Sequence, residues 1–159
     1  MVGCGFHLRG EGIQGLPPIY IDGGDPRQGI RLAVERTLRG SGEKTATTRD
    51  QAHMVLYLSQ ENYRKWPLSI SSQLLVQEYE LMYSVAFRIT DPDGKVLTPP
   101  QSVEFSRDYS FSGTAQVLGK ENEEELLHKE MINDAARQIL AQIIAVLEHE
   151  GEHKAGATQ

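Results

Sequence analysis

Residues 74–109 read LLVQEYELMYSVAFRITDPDGKVLTPPQSVEFSRDY, and this stretch decides the fold. Within residues 79–90, every second side chain is aromatic or aliphatic, which indicates a β-strand with one buried face. The letters DPDG at 91–94 predict a turn, because proline presets φ and glycine accepts a positive φ. Residues 103–109 alternate again, so the stretch predicts a long antiparallel hairpin. The side chains expected to face the core are Tyr79, Leu81, Tyr83, Val85, Phe87 and Ile89.

A strand over residues 75–90 would be unusually long. At about 3.3 Å per residue it would span roughly 50 Å, whereas strands usually span about 20 Å. We therefore expect a bulge or a strong twist within it.

A βαβ unit is predicted ahead of the hairpin. Ile19-Tyr20-Ile21 forms a short strand, and Asp25 and Pro26 begin a helix as its N-cap and first helical residue. A second strand is expected over 52–60, parallel to the first through a right-handed crossover. The polar residues 62–72 are expected to form an arm that leads into the hairpin. The apolar stripe of the helix is Ile30, Ala33, Val34 and Leu38.

A second and longer helix is expected over 121–148. Its apolar residues form two adjoining rows spaced by four, and the resulting broad apolar face must lie on the sheet. The rows are Leu127, Met131, Ala135, Ile139 and Ile143, and Ile132, Ala136, Leu140 and Ile144. These elements predict one α/β sandwich domain over 16–148, followed by a disordered polar tail over 149–159.

Composition narrows the class of protein. The chain has 159 residues, 39% hydrophobic and 24% charged, which suits one soluble domain with a substantial core. Its net charge of -6 gives no electrostatic support to nucleic-acid binding. No run approaches the roughly 20 apolar residues that a membrane span requires. The single cysteine, Cys4, excludes an internal disulfide.

The first fifteen residues suggest a lipid-anchored tether. The letters MVGCG at 1–5 look like the end of a bacterial lipoprotein signal, with cleavage before Cys4 and lipid attached to its thiol. The charged and apolar parts of such a signal do not precede it, so on this interpretation Met1 replaces a longer leader. The glycines that follow predict a flexible tether up to residue 15. The alternative is a cytosolic protein with a chance cysteine near its start.

Residues 149–153 read HEGEH and match the H-E-x-x-H zinc-hydrolase pattern. The motif falls at the expected fraying end of the last helix, contains Gly151, and is followed by no His, Asp, Glu or Cys that would supply a third ligand. We therefore interpret it as a chance match and predict no bound metal, no cofactor and no catalytic residue. His128 is expected to be a partly exposed helix residue. A zinc hydrolase remains the enzyme alternative, which a metal analysis tests.

Several stretches together resemble the LPS-assembly lipoprotein family, LptE, also called RlpB. They are CGFHLRG at 4–10, DGGDP at 22–26, EYEL at 78–81, and LGKENEE at 118–124 followed by KEM at 129–131 and DAARQI at 134–139. Their order and spacing match the family from Cys4 to about Leu147.

The resemblance implies an α+β fold, with two helices packed on one face of a mixed, about four-stranded sheet that includes the long hairpin. It implies a non-enzymatic lipoprotein of the outer membrane, anchored through Cys4 and facing the periplasm. The implied partners are the LptD β-barrel, whose lumen such proteins plug, and lipopolysaccharide. A polar barrel lumen is consistent with a charged surface on the plug. The alternative is an unrelated lipid-tethered periplasmic binding or scaffold lipoprotein of the same architecture.

The resemblance also implies where lipopolysaccharide binds. The family places basic residues in the loop before the long strand and at the start of the second helix. Lys120 matches the helix position, whereas the loop position falls on the uncharged Ser71-Ser72. Arg64 and Lys65 are the nearest basic substitutes, so the candidate lipopolysaccharide-binding residues are Lys120, Arg64 and Lys65.

Overall fold

The computed structural model describes residue 13, residues 15–110 and residues 117–156, with side chains described up to 110 and again over 123–150. These described residues form four strands and two α-helices. The elements in chain order are β1 (Ile19–Asp22), α1 (Gly29–Gly40), a single 3-10 turn (Arg49–Gln51), β2 (Met54–Ile70), β3 (Val76–Thr90), β4 (Val96–Ser110) and α2 (Val117–Gly156).

The strands form one mixed sheet in the order β1-β2-β3-β4. β1 pairs in parallel with β2 through the α1 crossover, and β2, β3 and β4 pair antiparallel. This topology confirms the α+β class, the four-stranded mixed sheet and the long hairpin.

One core lies between the helices and one face of the sheet. The alternation of β3 places Leu81, Tyr83, Val85, Phe87 and Ile89 in this core, with Tyr79 half-buried at its edge. Both apolar rows of α2 contact the core, since Met131, Ala135, Ala136, Ile139, Leu140 and Ile143 are fully buried. The α1 stripe of Ile30, Ala33, Val34 and Leu38 is buried in the same cluster.

Neither α1 nor α2 packs on the other side of the sheet, which we call the open face. Cross-strand partners share a face, so the open-face residues follow from the register. They include Tyr57, Ser59, Asn62, Arg64 and Trp66 on β2, Glu80, Met82, Ser84, Ala86 and Arg88 on β3, and Ser102, Glu104, Ser106 and Asp108 on β4. These residues are half-buried or exposed, and most are small or polar. Val55 and Thr90, which pair on the same face, are buried.

β2 is much longer than the sequence predicts. It was expected to end near Gln60, but it continues to Ile70, and the supposed arm is paired with β3, for example Tyr63 with Tyr83. The polar sequence of this segment hides the strand because most of its side chains are exposed. Its hydrogen bonds come from β3, which local sequence does not reveal.

The irregularity expected for the long strand is present as register shifts on both sides of β3, three against β2 and two against β4. Between Ser59 and Asn62, β2 advances three residues while β3 advances two. In β4, an extra residue lies between Thr98 and Gln101, where Pro99 and Pro100 occupy an edge strand that tolerates proline. Bulges of this kind increase the local twist and let a long sheet curve over its core.

Both helices have different limits from those expected. α1 begins at Gly29, not at Pro26, because Gly29 has a φ of 67° and separates the helix from the turn before it. The Asp25 carboxylate accepts a hydrogen bond from the Arg27 backbone N–H at 2.8 Å, so it caps this turn instead of the helix. α2 runs from Val117 to Gly156, which extends beyond the expected 121–148 at both ends.

Candidate functional site

The bulge in β2 directs Glu61 towards the helices. Gln60 has a φ of 50°, a conformation that non-glycine residues rarely adopt. Glu61 Oε1 accepts hydrogen bonds from the Ile30 backbone N–H at 2.9 Å and from the Tyr83 hydroxyl at 2.8 Å. The carboxylate therefore caps the start of α1 and joins it to the centre of the sheet.

Gly29 is required at the position that faces this carboxylate. A Cβ atom at Gly29 would lie 2.5 Å from Glu61 Oε1, and the φ of 67° is itself unfavourable for other residues. Burial, together with the hydrogen bond to Glu61, raises the pKa of the Tyr83 hydroxyl far above its usual range, so this hydroxyl stays a donor.

The bulge also decides which β2 side chains face the helices after it. Tyr63 and Lys65 point to the helix side, where both meet Glu124 of α2. The Tyr63 hydroxyl lies 2.9 Å from Glu124 Oε1, and Lys65 Nζ lies 2.5 Å from Glu124 Oε2. The Lys65 ammonium also lies 4.2 Å from the ring centroid of Tyr79 and 5.5 Å from that of Tyr109. A cation is thus held between two aromatic rings and a carboxylate.

Burial and the surrounding charges set the protonation of this cluster. Burial raises the pKa of Glu124, but the hydrogen bonds from Lys65 and Tyr63 and the charge of Lys65 outweigh it, so the net pKa is lowered. His128 stacks on Tyr63 with ring centroids 4.0 Å apart and is half-buried, as expected for a partly exposed helix residue. Burial lowers the pKa of His128, and the nearby carboxylates Glu61 and Glu124 only partly oppose this shift. At neutral pH the cluster therefore contains an ionised Glu124 and a neutral His128.

The three candidate residues do not share one surface. Arg64 is next to Lys65 in sequence but points to the open face, because adjacent residues of a strand face opposite sides. Lys120 lies in the first turn of α2, one turn before Glu124, and its side chain is outside the described residues. The backbone therefore brings Lys65 and Lys120 to one end of the helix layer, while Arg64 lies across the sheet from them.

The turn between β2 and β3 exposes a group of aliphatic side chains, which we call the apolar tip. It consists of Leu68, Ile70, Leu74 and Leu75. Leu74 is 85% exposed and has a φ of 61°. Ser71 holds the turn, since its hydroxyl accepts hydrogen bonds from the backbone N–H groups of Gln73 at 3.3 Å and Leu75 at 3.2 Å. The sequence analysis did not predict this exposed group, and none of the candidate lipopolysaccharide-binding residues belongs to it.

The H-E-x-x-H stretch lies within a helix and not beyond its end, because α2 continues to Gly156. The motif therefore occupies the last two turns of α2, which ends eight residues later than expected. His149 and Glu150 are described, and Glu150 Oε2 lies 3.9 Å from His53 Nε2, whereas the side chain of His153 is outside the described residues. Among the described side chains, no three His, Cys, Asp or Glu residues are grouped so as to hold a metal ion.

The lipidation candidate, Cys4, lies outside the described residues. Within the part of the chain that the structure describes, no helix has the length and apolar character needed to cross a membrane.

Comparison with known proteins identifies the family. The family model described as LptE, lipopolysaccharide-assembly, matches residues 16–143. The LPS-assembly lipoprotein LptE of Photorhabdus laumondii is 28% identical over 146 residues, covering 91% of this chain and 79% of that protein. The protein of the same name from Pectobacterium atrosepticum is 28% identical over 148 residues, covering 91% and 78%.

Solved structures agree in fold as well as sequence. The solution structure of uncharacterized lipoprotein B from Nitrosomonas europaea is 30% identical with a TM-score of 0.74, and covers 94% of this chain and 97% of that one. The crystal structure of rare lipoprotein B from Shewanella oneidensis is 31% identical with a TM-score of 0.68, covering 86% and 99%. The match over most of the domain, with the same fold in these relatives, shows that the chain belongs to the LptE family of lipopolysaccharide-assembly lipoproteins.

Proposed function

We propose that this protein is an outer-membrane lipoprotein, facing the periplasm, that plugs the lumen of the LptD β-barrel and binds lipopolysaccharide during its insertion into the outer leaflet. It acts by shape, charge and apolar contact and catalyses no reaction. Family membership supports the assembly role and leaves the alternative of an unrelated tethered lipoprotein without support. The observation that carries the lipid-binding part is the apolar tip.

The apolar tip is unfavourable for an isolated domain in water. A leucine in the left-handed region costs about 1–2 kcal/mol, and the exposed aliphatic surface around Leu74 adds no stability to the fold. Clustered exposed aliphatic side chains of this kind mark a surface that contacts protein or lipid. A strained and exposed leucine in a turn fixed by Ser71 is therefore best explained by a ligand that covers it.

The charges next to the tip suit a lipid that carries phosphates above its acyl chains. Lys65 lies three residues before Leu68 and five before Ile70, so the cation is roughly 10–16 Å from the apolar side chains at about 3.3 Å per residue. This order of charge and apolar surface matches a phosphorylated, acylated headgroup such as lipid A. Lys120 is in the first turn of α2, which lies at the same end of the domain. Arg64 would contact the lipid only if the lipid covers both sides of the hairpin.

Lys65 already forms an ion pair within the protein, with Glu124. Its ion pair with Glu124 is partly exposed, with about a third of the Lys65 side chain accessible, so an incoming phosphate can compete for it. An exchange of one solvated ion pair for another contributes little, about 0–1 kcal/mol. The contribution increases once lipid excludes water from the site.

Two measurements test the proposal. The lipidated full-length protein is expected to co-purify from membranes with tagged LptD in a mild detergent, and absence of association would contradict the barrel role. For lipid binding, purified protein is titrated with lipopolysaccharide. The double variant Leu74→Asp, Leu75→Asp is expected to bind at least tenfold more weakly than the parent.

Val96→Asp is the matched control, because Val96 is an exposed aliphatic residue at the opposite turn of the hairpin. It should bind lipopolysaccharide within twofold of the parent. Equal binding by the tip variant and the parent would show that lipid is recognised elsewhere.

A further inference from the structure

The open face carries a second cluster at the end away from the apolar tip. Arg49, Tyr57 and Arg88 form it, and we call it the Arg–Tyr–Arg cluster. The guanidinium carbon of Arg88 lies 4.3 Å from the Tyr57 ring centroid, and that of Arg49 lies 5.6 Å from it. Two cations thus share one aromatic ring on the surface of a sheet.

Only one of these cations has a carboxylate partner among the described residues. Arg49 Nη2 lies 3.1 Å from Asp22 Oδ2, on the strand next to Tyr57. Arg88 is exposed and forms no ion pair with the carboxylates that the structure describes. The local charge at this end of the open face is therefore positive.

A hollow of about 310 Å³ lies beside the cluster. Ser59 and Ala86 are directly paired across β2 and β3 and line its floor, where their small side chains leave room. Tyr57, Arg88 and Pro100 also line it, together with Asp22, whose carboxylate is paired with Arg49. The hollow is large enough for a side chain of another protein, and the free guanidinium beside it favours an acidic one.

The opposite end of the open face is mainly acidic, although Arg64 of β2 also lies there. Glu80 and Asp108 are directly opposed across β3 and β4, and Glu78 lies on the same strand as Glu80. Like charges in this position are unfavourable for the sheet itself. A partner that places carboxylates on the Arg–Tyr–Arg cluster is repelled from this acidic end, so the charges fix its orientation as well as its position.

We infer that the open face is the surface on which the protein docks to its protein partner, and that the partner presents an Asp or Glu side chain to Arg88 in the hollow. Arginine and tyrosine are the residues that dominate the centres of protein interfaces, and the surrounding small side chains allow a flat partner surface to approach closely. The inference rests on the proposed association with the LptD barrel, whose lumen wall would be that surface.

The test uses the lipidated full-length protein co-expressed with tagged LptD, with retention on the tag measured after a moderate-salt wash. Arg49→Glu combined with Arg88→Glu is expected to reduce retention at least tenfold. Arg36→Glu is the matched control, because Arg36 is an exposed arginine of α1 that forms no ion pair with any described carboxylate. The control should be retained within twofold of the parent, and the melting temperatures should show that both variants are folded.

A photo-crosslinking residue at Ser59 provides an independent measurement. It is expected to form an adduct with LptD, whereas the same residue at the exposed Gln138 of α2 should form markedly less. If the parent is retained on LptD and the double variant is retained equally, the inference is wrong while the proposed function stands. If the parent itself is not retained, the proposed function fails.

A small-anion site is the competing outcome. Titration with inorganic phosphate distinguishes it, because a protein-docking surface should show no saturable phosphate binding at millimolar concentrations. Phosphate binding that Arg88→Glu abolishes, with LptD retention unchanged, would overturn the inference.

Discussion

Replacing Glu61 by alanine should destabilise the domain more than any other change to an exposed acidic side chain of the sheet. The Glu61 carboxylate accepts hydrogen bonds from the Ile30 backbone N–H and from the Tyr83 hydroxyl. Loss of a helix cap costs about 0.5–2 kcal/mol, and a buried hydroxyl left without a partner costs about 1–3 kcal/mol. Since Glu61 is itself exposed, water replaces part of what is lost, and we expect roughly 2–3 kcal/mol.

The assay is urea unfolding of the purified protein, followed by circular dichroism, together with thermal melting. For a chain of this length the expected loss corresponds to a fall in melting temperature of roughly 4–12 °C. Glu104→Ala is the control, because Glu104 is an exposed carboxylate on the edge strand β4. It should change the free energy of unfolding by less than about 0.5 kcal/mol.

A double-mutant cycle separates the two lost hydrogen bonds. Tyr83→Phe should destabilise the parent but cost much less in the Glu61→Ala background, where the hydroxyl already lacks its acceptor. Gly29→Ala should likewise be less harmful in that background, because the added Cβ no longer meets the carboxylate. If Glu61→Ala and Glu104→Ala unfolded at the same urea concentration, the bulge at Gln60 would have no role in holding α1.

The remaining predictions concern the lipid site, pH, the tail and the anchor. Glu124→Gln should release Lys65 and raise lipopolysaccharide affinity roughly two- to fivefold in a binding titration, and unchanged or weaker binding would contradict the proposed competition. Burial lowers the pKa of His128 on folding, so its contribution to stability is complete above the unfolded value of 6.5 and is lost as the pH falls below it. His128→Phe should therefore flatten the pH dependence of the free energy of unfolding below pH 6.5. Truncation after Leu147 should change the melting temperature by only a few degrees and remove no stoichiometric zinc, since Glu148 and His149, the first residues lost, are exposed. Intact mass of membrane-extracted protein should show lipid on Cys4, and an unmodified thiol there would refute the anchor.

The sequence by itself determined the elements whose side chains are buried in a regular pattern. The alternation of β3 and the two apolar rows of α2 each match the observed core, because burial against one layer imposes a period of two on a strand and about 3.6 on a helix. The parallel β1–β2 pairing followed from the βαβ order. The resemblance in motifs and spacing was also sufficient to predict the family that the comparisons then showed.

Only the tertiary structure decided to which side of the sheet each polar side chain points and which polar side chains are in contact. The second half of β2 is a strand because β3 supplies its hydrogen bonds, and its polar side chains carry no periodic signal of that pairing. One extra residue at the bulge sends Glu61 to the start of α1 and puts Lys65, instead of Arg64, on the helix side of the sheet. Strand register pairs Tyr57 with Arg88, and the packing of α2 on the sheet brings Glu124 to Lys65, 59 residues away in sequence.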